Sequence, residues 1–192
     1  MTEKRRIKFE SVLRHRQPDI TVVIEDIHDP HNVSAILRSA DAVGILQVQL
    51  VYTKEKFPKL GRKSSASANK WIARRSFPSI RECYEKLRSE GYLVCATHLG
   101  IKSTSLYTLD LTNKVALVFG NEHRGVSKEA AELADMNFQI PMVGMIQSLN
   151  VSVACAVSLY EVFRQRVATG RFKKASLSKV EIKRLFDEWT SK

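Results

Sequence analysis

Two polar residues in a mostly apolar segment are the first candidates for chemistry. Asn32 and Arg38 lie six positions apart in N-V-S-A-I-L-R, near two helical turns, so we expect both to project toward one side of their helix. An arginine in an apolar helix costs free energy unless an anion pairs with it. That anion can be a ligand or an acidic side chain such as Asp26 or Glu122. The sequence leaves both interpretations open.

A second segment carries an apolar run directly into a polar turn. Val115–Phe119 is followed at once by Gly120, Asn121 and Glu122, and then by Gly125. A glycine at the end of a strand lets a ligand approach the backbone closely. We therefore expect Glu122 to stand at the mouth of a binding site.

The third segment combines a tight loop with an unusual helix. Pro141 and Gly144 predict the loop, and Ser148 and Asn150 stand at the expected helix start. Close packing against other backbone is predicted by the small residues of the helix, which are Ser152, Ala154, Cys155, Ala156 and Ser158. Ser148 can also be no more than the cap of this helix.

Missing motifs argue against several common chemistries. The chain lacks G-x-G-x-x-G after its first expected strand, and it lacks both G-x-x-x-x-G-K-[ST] and G-x-S-x-G. A standard dinucleotide fold, a P-loop and a serine hydrolase are therefore disfavoured. No cluster of His, Cys and carboxylates has zinc spacing, so no metal is expected. The three cysteines show no C-x-x-C spacing and predict neither disulfides nor a metal site.

Alternating hydrophobic patterns predict an α/β fold in this chain of 192 residues. Strands are expected at 21–24, 47–52, 72–77, 92–97, 115–119 and 137–141. Helices are expected at 3–16, with Ile7, Val12 and Leu13 on its apolar face, and at 33–43, 79–90, 127–134, 148–168 and 178–189. The pattern is typical of a parallel sheet with helices on both faces and ligands beyond the carboxyl ends of its strands. The site is expected in loops 29–32, 97–100 with 120–125, and 141–147, and a mobile surface loop is expected at 54–69.

Positive charge is concentrated in three places. Of the net charge of +11, residues 1–20 contribute six basic against three acidic residues, and residues 164–192 contribute nine against three. Residues 54–75 add eight basic residues against the single acid Glu55. A near-neutral centre with basic patches is typical of an enzyme that binds a polyanion, although any one patch can be a solvated face. No apolar run is long enough to span a bilayer and no secretory signal is recognisable, so a cytoplasmic protein is expected.

Taken together, the three segments resemble motifs of the SPOUT superfamily of RNA methyltransferases, in the branch that methylates ribose 2′-hydroxyls. The pair Asn32 and Arg38 is similar to the first motif, and the segment from Phe119 to Gly125 is similar to the second. The segment from Ile140 to Ser152 is similar to the third, and the resemblance spans about residues 20–165.

The resemblance implies roles for individual residues. Arg38 would activate the 2′-hydroxyl. Because an arginine keeps its proton at ordinary pH, its physically favoured role is to orient a phosphate or to stabilise negative charge on the oxygen. Asn32, Glu122, Ser148 and Asn150 would complete the catalytic set. S-adenosylmethionine would be the methyl donor, with contacts from Thr97, His98, Leu99, Gly100, Phe119, Gly120, Asn121, Ile140, Met145, Ser148 and Leu149. Contacts to RNA would come from Lys8, Arg16, Arg88, Arg164, Arg166 and Arg171.

The resemblance also implies a fold detail and an assembly. Members of the superfamily thread their C-terminal segment into a deep trefoil knot, which general folding rules would disfavour. They form homodimers, and residues 140–161 would be both cofactor wall and dimer surface. The expected organisation is a basic N-terminal helix at 1–19, a catalytic domain at 20–168 and a basic helical extension at 169–192.

The expected substrate is tRNA, and no obligate protein partner is evident. The basic terminal helices resemble the extensions of family members that methylate guanosine 18 of tRNA. Related ribosomal enzymes carry an extra domain where this chain has only about 20 residues. Ribosomal RNA as substrate and a non-catalytic RNA-binding protein remain alternatives. Methylation of guanine N1 is disfavoured by the Asn32 and Arg38 pair and by the Ser148-x-Asn150 motif.

Overall fold

The computed structural model describes residues 1–61, 68–100 and 102–191. Its strands form one seven-stranded parallel sheet of order β3-β2-β1-β6-β4-β7-β5. The strands are β1 (Ile20–Glu25), β2 (Gln47–Val51), β3 (Ala73–Phe77), β4 (Leu93–Thr97), β5 (Thr104–Ser105), β6 (Val115–Phe119) and β7 (Met136–Gln139). The helices are α1 (Glu3–Arg14), α2 (Pro30–Ala42), α3 (Ala68–Trp71), α4 (Ile80–Ser89), α5 (Lys128–Leu133), α6 (Val151–Ala168) and α7 (Lys179–Thr190).

The predicted α/β architecture is confirmed, with differences at a few element ends. The long helix α6 begins at Val151 rather than at 148, because Asn150 caps it. The two-residue strand β5 was not predicted, since so short a strand leaves no periodic pattern. The expected loop at 54–69 contains the start of α3, and its positions 62–67 lie outside the described residues. No helix among the described residues is long and apolar enough to cross a membrane.

The two central strands explain where ligands can bind. Every residue of β1 and β6 is buried, because α2 and α6 cover one face of the sheet and α4 and α5 cover the other. Strand β6 lies between β1 and β4 although it follows both in the chain. The carboxyl ends of β1, β6, β4 and β7 are therefore neighbours at one edge, the usual ligand position in a parallel sheet.

The terminal helices α1 and α7 pack together through an aromatic cluster. The Phe9 ring lies 5.3 Å from Trp71 and 5.7 Å from Trp189, both edge-on. The buried face of α1 is formed by Phe9 and Leu13, whereas Ile7 is 56% exposed, so the prediction that Ile7 belongs to this apolar face is wrong.

Two arginines predicted to bind RNA are instead buried. Arg16 and Arg166 are both 0% exposed. Arg16 donates to Asp41 at 2.6 Å and to the carbonyl oxygen of Ile45 at 2.8 Å. Arg166 donates to Asp19 at 2.6 Å and to backbone carbonyls. The RNA-binding role predicted for both is wrong in this conformation, because their guanidinium groups join the terminal segments to the core.

The buried pair of Arg166 and Asp19 predicts a large mutational effect on stability. We expect Arg166→Met to lower the free energy of unfolding by about 3–5 kcal/mol, because the carbonyl oxygens of Leu111 and Asn113 lose a buried donor and Asp19 keeps only the exposed Arg171 as its charged partner. Arg184→Met, on α7, removes an exposed guanidinium whose partner Glu188 is also exposed, and should cost less than about 1 kcal/mol. Urea unfolding of both variants measures the difference, and equal losses would contradict the structural role of Arg166.

Candidate functional site

A cavity of about 410 Å³ opens at the carboxyl ends of β4, β6 and β7. Its walls come from residues 97–99 after β4, from 119–126 at the end of β6, and from the segment 138–154 that leads from β7 into α6. The walls are largely apolar, and Glu122 supplies the carboxylate among the described lining residues. This composition suits an organic ligand of the size of a cofactor.

The carboxylate of Glu122 collects hydrogen bonds from the loop between β1 and α2. Its Oε1 accepts from Asn32 Nδ2 at 3.1 Å and from the backbone N–H of Asp29 at 3.2 Å. Its Oε2 lies 3.2 Å from Nδ1 of His28. Burial pushes the pKa of Glu122 upward, but the bonds from Asn32, the backbone and His28 outweigh it and leave the pKa below its ordinary value. Glu122 therefore stays ionised at neutral pH.

The same chain of bonds reaches the start of α6. Asn32 Oδ1 accepts from Asn150 Nδ2 at 3.0 Å, so Asn32 bridges Glu122 and Asn150. Asn150 Oδ1 in turn accepts from the backbone N–H of Ser152 at 2.8 Å and from that of Val153, which caps the helix. One continuous line of contacts thus joins the three sequence motifs.

Asp26 holds the opposite side of the β1 loop in place. Its φ of +51° is left-handed, a conformation that costs free energy for a residue other than glycine. Its Oδ1 accepts from the backbone N–H groups of Thr53, Lys54 and Glu55, and its carbonyl oxygen accepts from Asn121 Nδ2 at 2.9 Å. Burial alone would raise the pKa of Asp26. The hydrogen bonds from these backbone amides outweigh burial, so the pKa lies below its usual value. The strained turn is thereby fixed from several directions.

Gly120 is required by the protein's own backbone rather than by a ligand. A Cβ atom at this position would lie 2.1 Å from the carbonyl oxygen of Gly125. The loop folds back on itself there, with the Gly125 N–H donating to Asn121 at 2.8 Å. The need for glycine at this position is therefore explained by the fold of the loop and not by the approach of a ligand. Gly120 does line the cavity.

Most positions expected to hold a cofactor line this cavity. Those that do are Thr97, His98, Leu99, Phe119, Gly120, Asn121, Ile140, Ser148 and Leu149. Gly100 does not line it, and Met145 is 100% exposed and outside it. Met142 and Gln147 line it from within the expected loop 141–147, whereas Gln139, Val151 and Ala154 were not predicted. Neither their residue types nor their spacing carries a signal of its own.

Arg38 and Ser148 differ from their expected positions. Asn32 is buried and Arg38 is exposed, so the two do not face one side; six residues correspond to about one and two thirds turns. Within the described residues Arg38 has no hydrogen bond or ion pair, so the alternative of a bridge to Asp26 or Glu122 is wrong. Ser148 lines the cavity but does not cap α6, because Asn150 does.

No described group of three or more His, Cys, Asp or Glu could hold a metal ion.

Comparison with known proteins gives a consistent set of relatives. Residues 19–160 match the family described as the SpoU rRNA Methylase family. A Thermus thermophilus protein named tRNA (guanosine(18)-2′-O)-methyltransferase is 43% identical over 191 residues, which is 100% of this chain and 98% of that protein. The similarity therefore includes the terminal helices.

Solved structures give the same result for the fold. The crystal structure of the Aquifex aeolicus TrmH/SpoU tRNA modifying enzyme superposes with a TM-score of 0.93 at 36% identity, covering 98% of this chain and 96% of that one. The SpoU methyltransferase AviRb from Streptomyces viridochromogenes, in complex with the cofactor AdoMet, superposes with a TM-score of 0.64 at 25% identity, covering 79% and 60%.

The two functions of the Asn150 side chain can be separated by mutation. Asn150→Ala removes the cap and should lower the free energy of unfolding by about 1 kcal/mol. Asn150→Asp keeps the capping oxygen, and its negative charge interacts favourably with the N-terminus of α6, but it loses the donor to Asn32. We therefore expect it to lower the free energy of unfolding by less than Asn150→Ala does. Urea unfolding compares them. Equal destabilisation by both substitutions would show that capping is not the main contribution of Asn150.

Proposed function

The chain belongs to the SpoU rRNA methylase family, and on this premise we propose that it transfers a methyl group from S-adenosylmethionine to the ribose 2′-hydroxyl of guanosine 18 in tRNA. The observation that carries the substrate assignment is the full-length similarity to a relative with that name. The basic terminal segments, which lie outside the matched residues 19–160, support a large polyanionic substrate.

The cavity suits S-adenosylmethionine in size and in lining. Its volume of about 410 Å³ lies within the range of sites that enclose small organic ligands. Leu99, Ile140 and Leu149 offer apolar surface for an adenine ring, and Gln139 and Ser148 offer polar groups. The ionised carboxylate of Glu122 complements a ligand that carries a positive sulfonium. When bound, S-adenosylmethionine supplies an electrophilic methyl group.

The protein's own groups would place the acceptor ribose and manage its charge. Arg38 is exposed and unpaired among the described residues, so its guanidinium is available for an RNA phosphate. In that position it would orient the nucleotide and stabilise negative charge that develops on the 2′-oxygen. Asn32, Glu122 and Asn150 act as positioning residues, because their hydrogen bonds fix the loops around the cavity.

Four of the six predicted RNA contacts remain in the proposal. Lys8 is exposed, and Arg88, Arg164 and Arg171 are exposed although each pairs with an acidic residue. The guanidinium groups of these three pairs are exposed, so a phosphate can bind beside the carboxylate partner. Binding through such contacts should weaken steeply as the salt concentration rises.

We also propose a homodimer, a C-terminal knot, the three-part organisation and a cytoplasmic location. Strongly exposed apolar side chains support the dimer, since Val143, Met145, Val153 and Tyr160 all lie in or beside the segment expected to form it. The knot and the three-part organisation are supported by the TM-score of 0.93 with the Aquifex aeolicus structure, which extends over both terminal segments.

Site-resolved methylation is the direct test of this function. Purified protein, tRNA transcript and radiolabelled S-adenosylmethionine should yield label in the 2′-O-methylated nucleotide at guanosine 18, as mapped by nuclease digestion. A transcript that already carries 2′-O-methylguanosine at that position should accept no label. Label in a base, at another nucleotide, or equally in the control transcript would refute the proposal.

The proposed role of Arg38 predicts a loss of rate that exceeds the loss of binding. We expect Arg38→Ala to lower the single-turnover rate constant at least about 10²-fold, as for the loss of one oxyanion-stabilising donor. The affinity for tRNA should fall only as expected for the loss of one phosphate contact. The slope of the logarithm of the binding constant against the logarithm of the salt concentration should fall in magnitude by about one. Arg38→Lys keeps the positive charge but lacks the planar guanidinium, so its single-turnover rate constant should lie between those of the wild type and Arg38→Ala. If weaker tRNA binding accounts for all the lost rate, Arg38 has no part in the chemistry.

A further inference from the structure

We propose that a second pocket, at the carboxyl ends of β2 and of the outermost strand β3, binds an unpaired nucleobase of the RNA substrate outside the methylated nucleotide. The inference rests on the proposed function, which makes the substrate an RNA. The volume of this edge pocket, about 330 Å³, lies within the range of sites that enclose small organic groups. Its described lining consists of Leu50, Tyr52, Phe57, Arg74, Ser76 and Phe77.

Aromatic rings form a large part of the wall of the edge pocket. The rings of Tyr52 and Phe57 meet edge to face, with their centroids 5.3 Å apart. Phe57 and Phe77 are half-buried, so part of each ring stays accessible. Unpaired bases of RNA bind to proteins largely by stacking on such rings, with little dependence on the identity of the base. The edge pocket therefore has the lining that a flat base requires.

One arginine at the edge pocket can bind a phosphate. Cζ of Arg74 lies 5.7 Å from the centroid of the Phe57 ring, and no acidic side chain among the described residues pairs with this exposed guanidinium. Its neighbour Arg75 projects to the other face of β3, where it donates to Gln49 at 2.7 Å and to Glu90 at 2.8 Å. Arg74 can therefore donate to the phosphate of a nucleotide whose base lies in the pocket.

The charge of the surrounding segment favours a nucleotide over an apolar peptide. Residues 54–75 contain eight Lys or Arg and the single acid Glu55, which is paired with Arg124 at 3.0 Å. Lys56 and Lys59 are exposed. A positive field of this kind attracts a polyanion, and an apolar peptide would make no use of it. A nucleotide complements both the aromatic wall and the charge.

Hydrogen bonds join the edge pocket to the loop after β1, which leads to Asn32. Tyr52 donates its hydroxyl to the carbonyl oxygen of Ile27 at 2.7 Å. Burial raises the pKa of Tyr52 well above its ordinary value, so the hydroxyl remains a donor. Oδ1 of Asp26 accepts from the three backbone N–H groups that follow Tyr52. A base held in the edge pocket would therefore fix the RNA strand relative to the cofactor cavity.

Removal of an aromatic ring tests the stacking. Phe57→Leu keeps an apolar side chain, and it should weaken tRNA binding about 5- to 150-fold in filter binding at a fixed salt concentration, as for the loss of one stacked base. The dependence of the binding constant on salt should stay that of the wild type, because no cation is lost. Phe57→Tyr keeps the ring and should bind tRNA like the wild type.

A matched control removes an aromatic ring elsewhere. Tyr107 is 54% exposed and follows β5, at the opposite edge of the sheet. Tyr107→Leu should bind tRNA like the wild type. A loss of affinity equal to that of Phe57→Leu would show that the effect does not arise in the edge pocket, and would overturn the inference.

Two further variants keep the test independent of the packing of Phe57. Ser76 is an exposed residue of the lining, so Ser76→Ile adds bulk to the pocket with a side chain that strands favour. It should weaken tRNA binding without a change in salt dependence. Arg74→Met should lower the magnitude of the slope of log binding constant against log salt concentration by about one. Thermal unfolding of each variant checks that the fold is retained.

The outcomes separate this inference from the proposed function. If the wild type binds tRNA but does not methylate guanosine 18, the proposed function fails, and the tRNA affinities of the variants still decide the role of the edge pocket. If folded Phe57→Leu and Ser76→Ile proteins bind tRNA like the wild type, the edge pocket holds no base and the proposed function stands. An unchanged salt slope in Arg74→Met would contradict its phosphate contact.

Discussion

The geometry of the site depends on one partly buried carboxylate. Glu122 lies in the loop that follows β6, and its two oxygens accept bonds from Asn32, from the backbone of Asp29 and from His28. An ionised carboxylate taken partly out of water must be compensated by donors, so these groups are drawn to it from other elements. Through Asn32 the line of bonds continues to Asn150 and the start of α6. The cavity is thus framed by loops that hold one another.

The sheet topology makes this convergence possible. Because β6 is inserted between β1 and β4, the loop carrying Glu122 emerges beside the loop after β1. The close approach at Gly120 and the left-handed turn at Asp26 then bring the two loops within hydrogen-bond distance. Both features cost conformational freedom, and the contacts that Asp26 and Asn121 make offset part of that cost. Packing of α2 and α6 on one face supplies the rigid support.

The sequence predicted the layers and the general place of the site, because buried β-branched runs and alternating elements leave strong periodic signals. Asn32, Glu122 and Asn150, which the family resemblance singled out, lie together and are joined by hydrogen bonds. The sequence did not reveal that Arg16 and Arg166 are buried, since the type of a charged residue does not show whether carbonyl oxygens surround it. The contact between His28 and Glu122 was not predicted either, because the two residues lie far apart in the chain. Met145 was misplaced because an irregular loop has no periodicity that tells inward from outward positions.

Glu122 and Asn32 are expected to act as one unit in holding the site, because the two side chains are directly hydrogen-bonded. A double-mutant cycle on the single-turnover rate of methyl transfer, with Asn32→Ala, Glu122→Gln and the double variant, measures this coupling directly. Residues in direct contact are predicted to be strongly non-additive, so the double variant should be no more than about threefold slower than the slower single variant. If the two losses multiply in the double variant, Glu122 and Asn32 act independently, and this account of the site is contradicted.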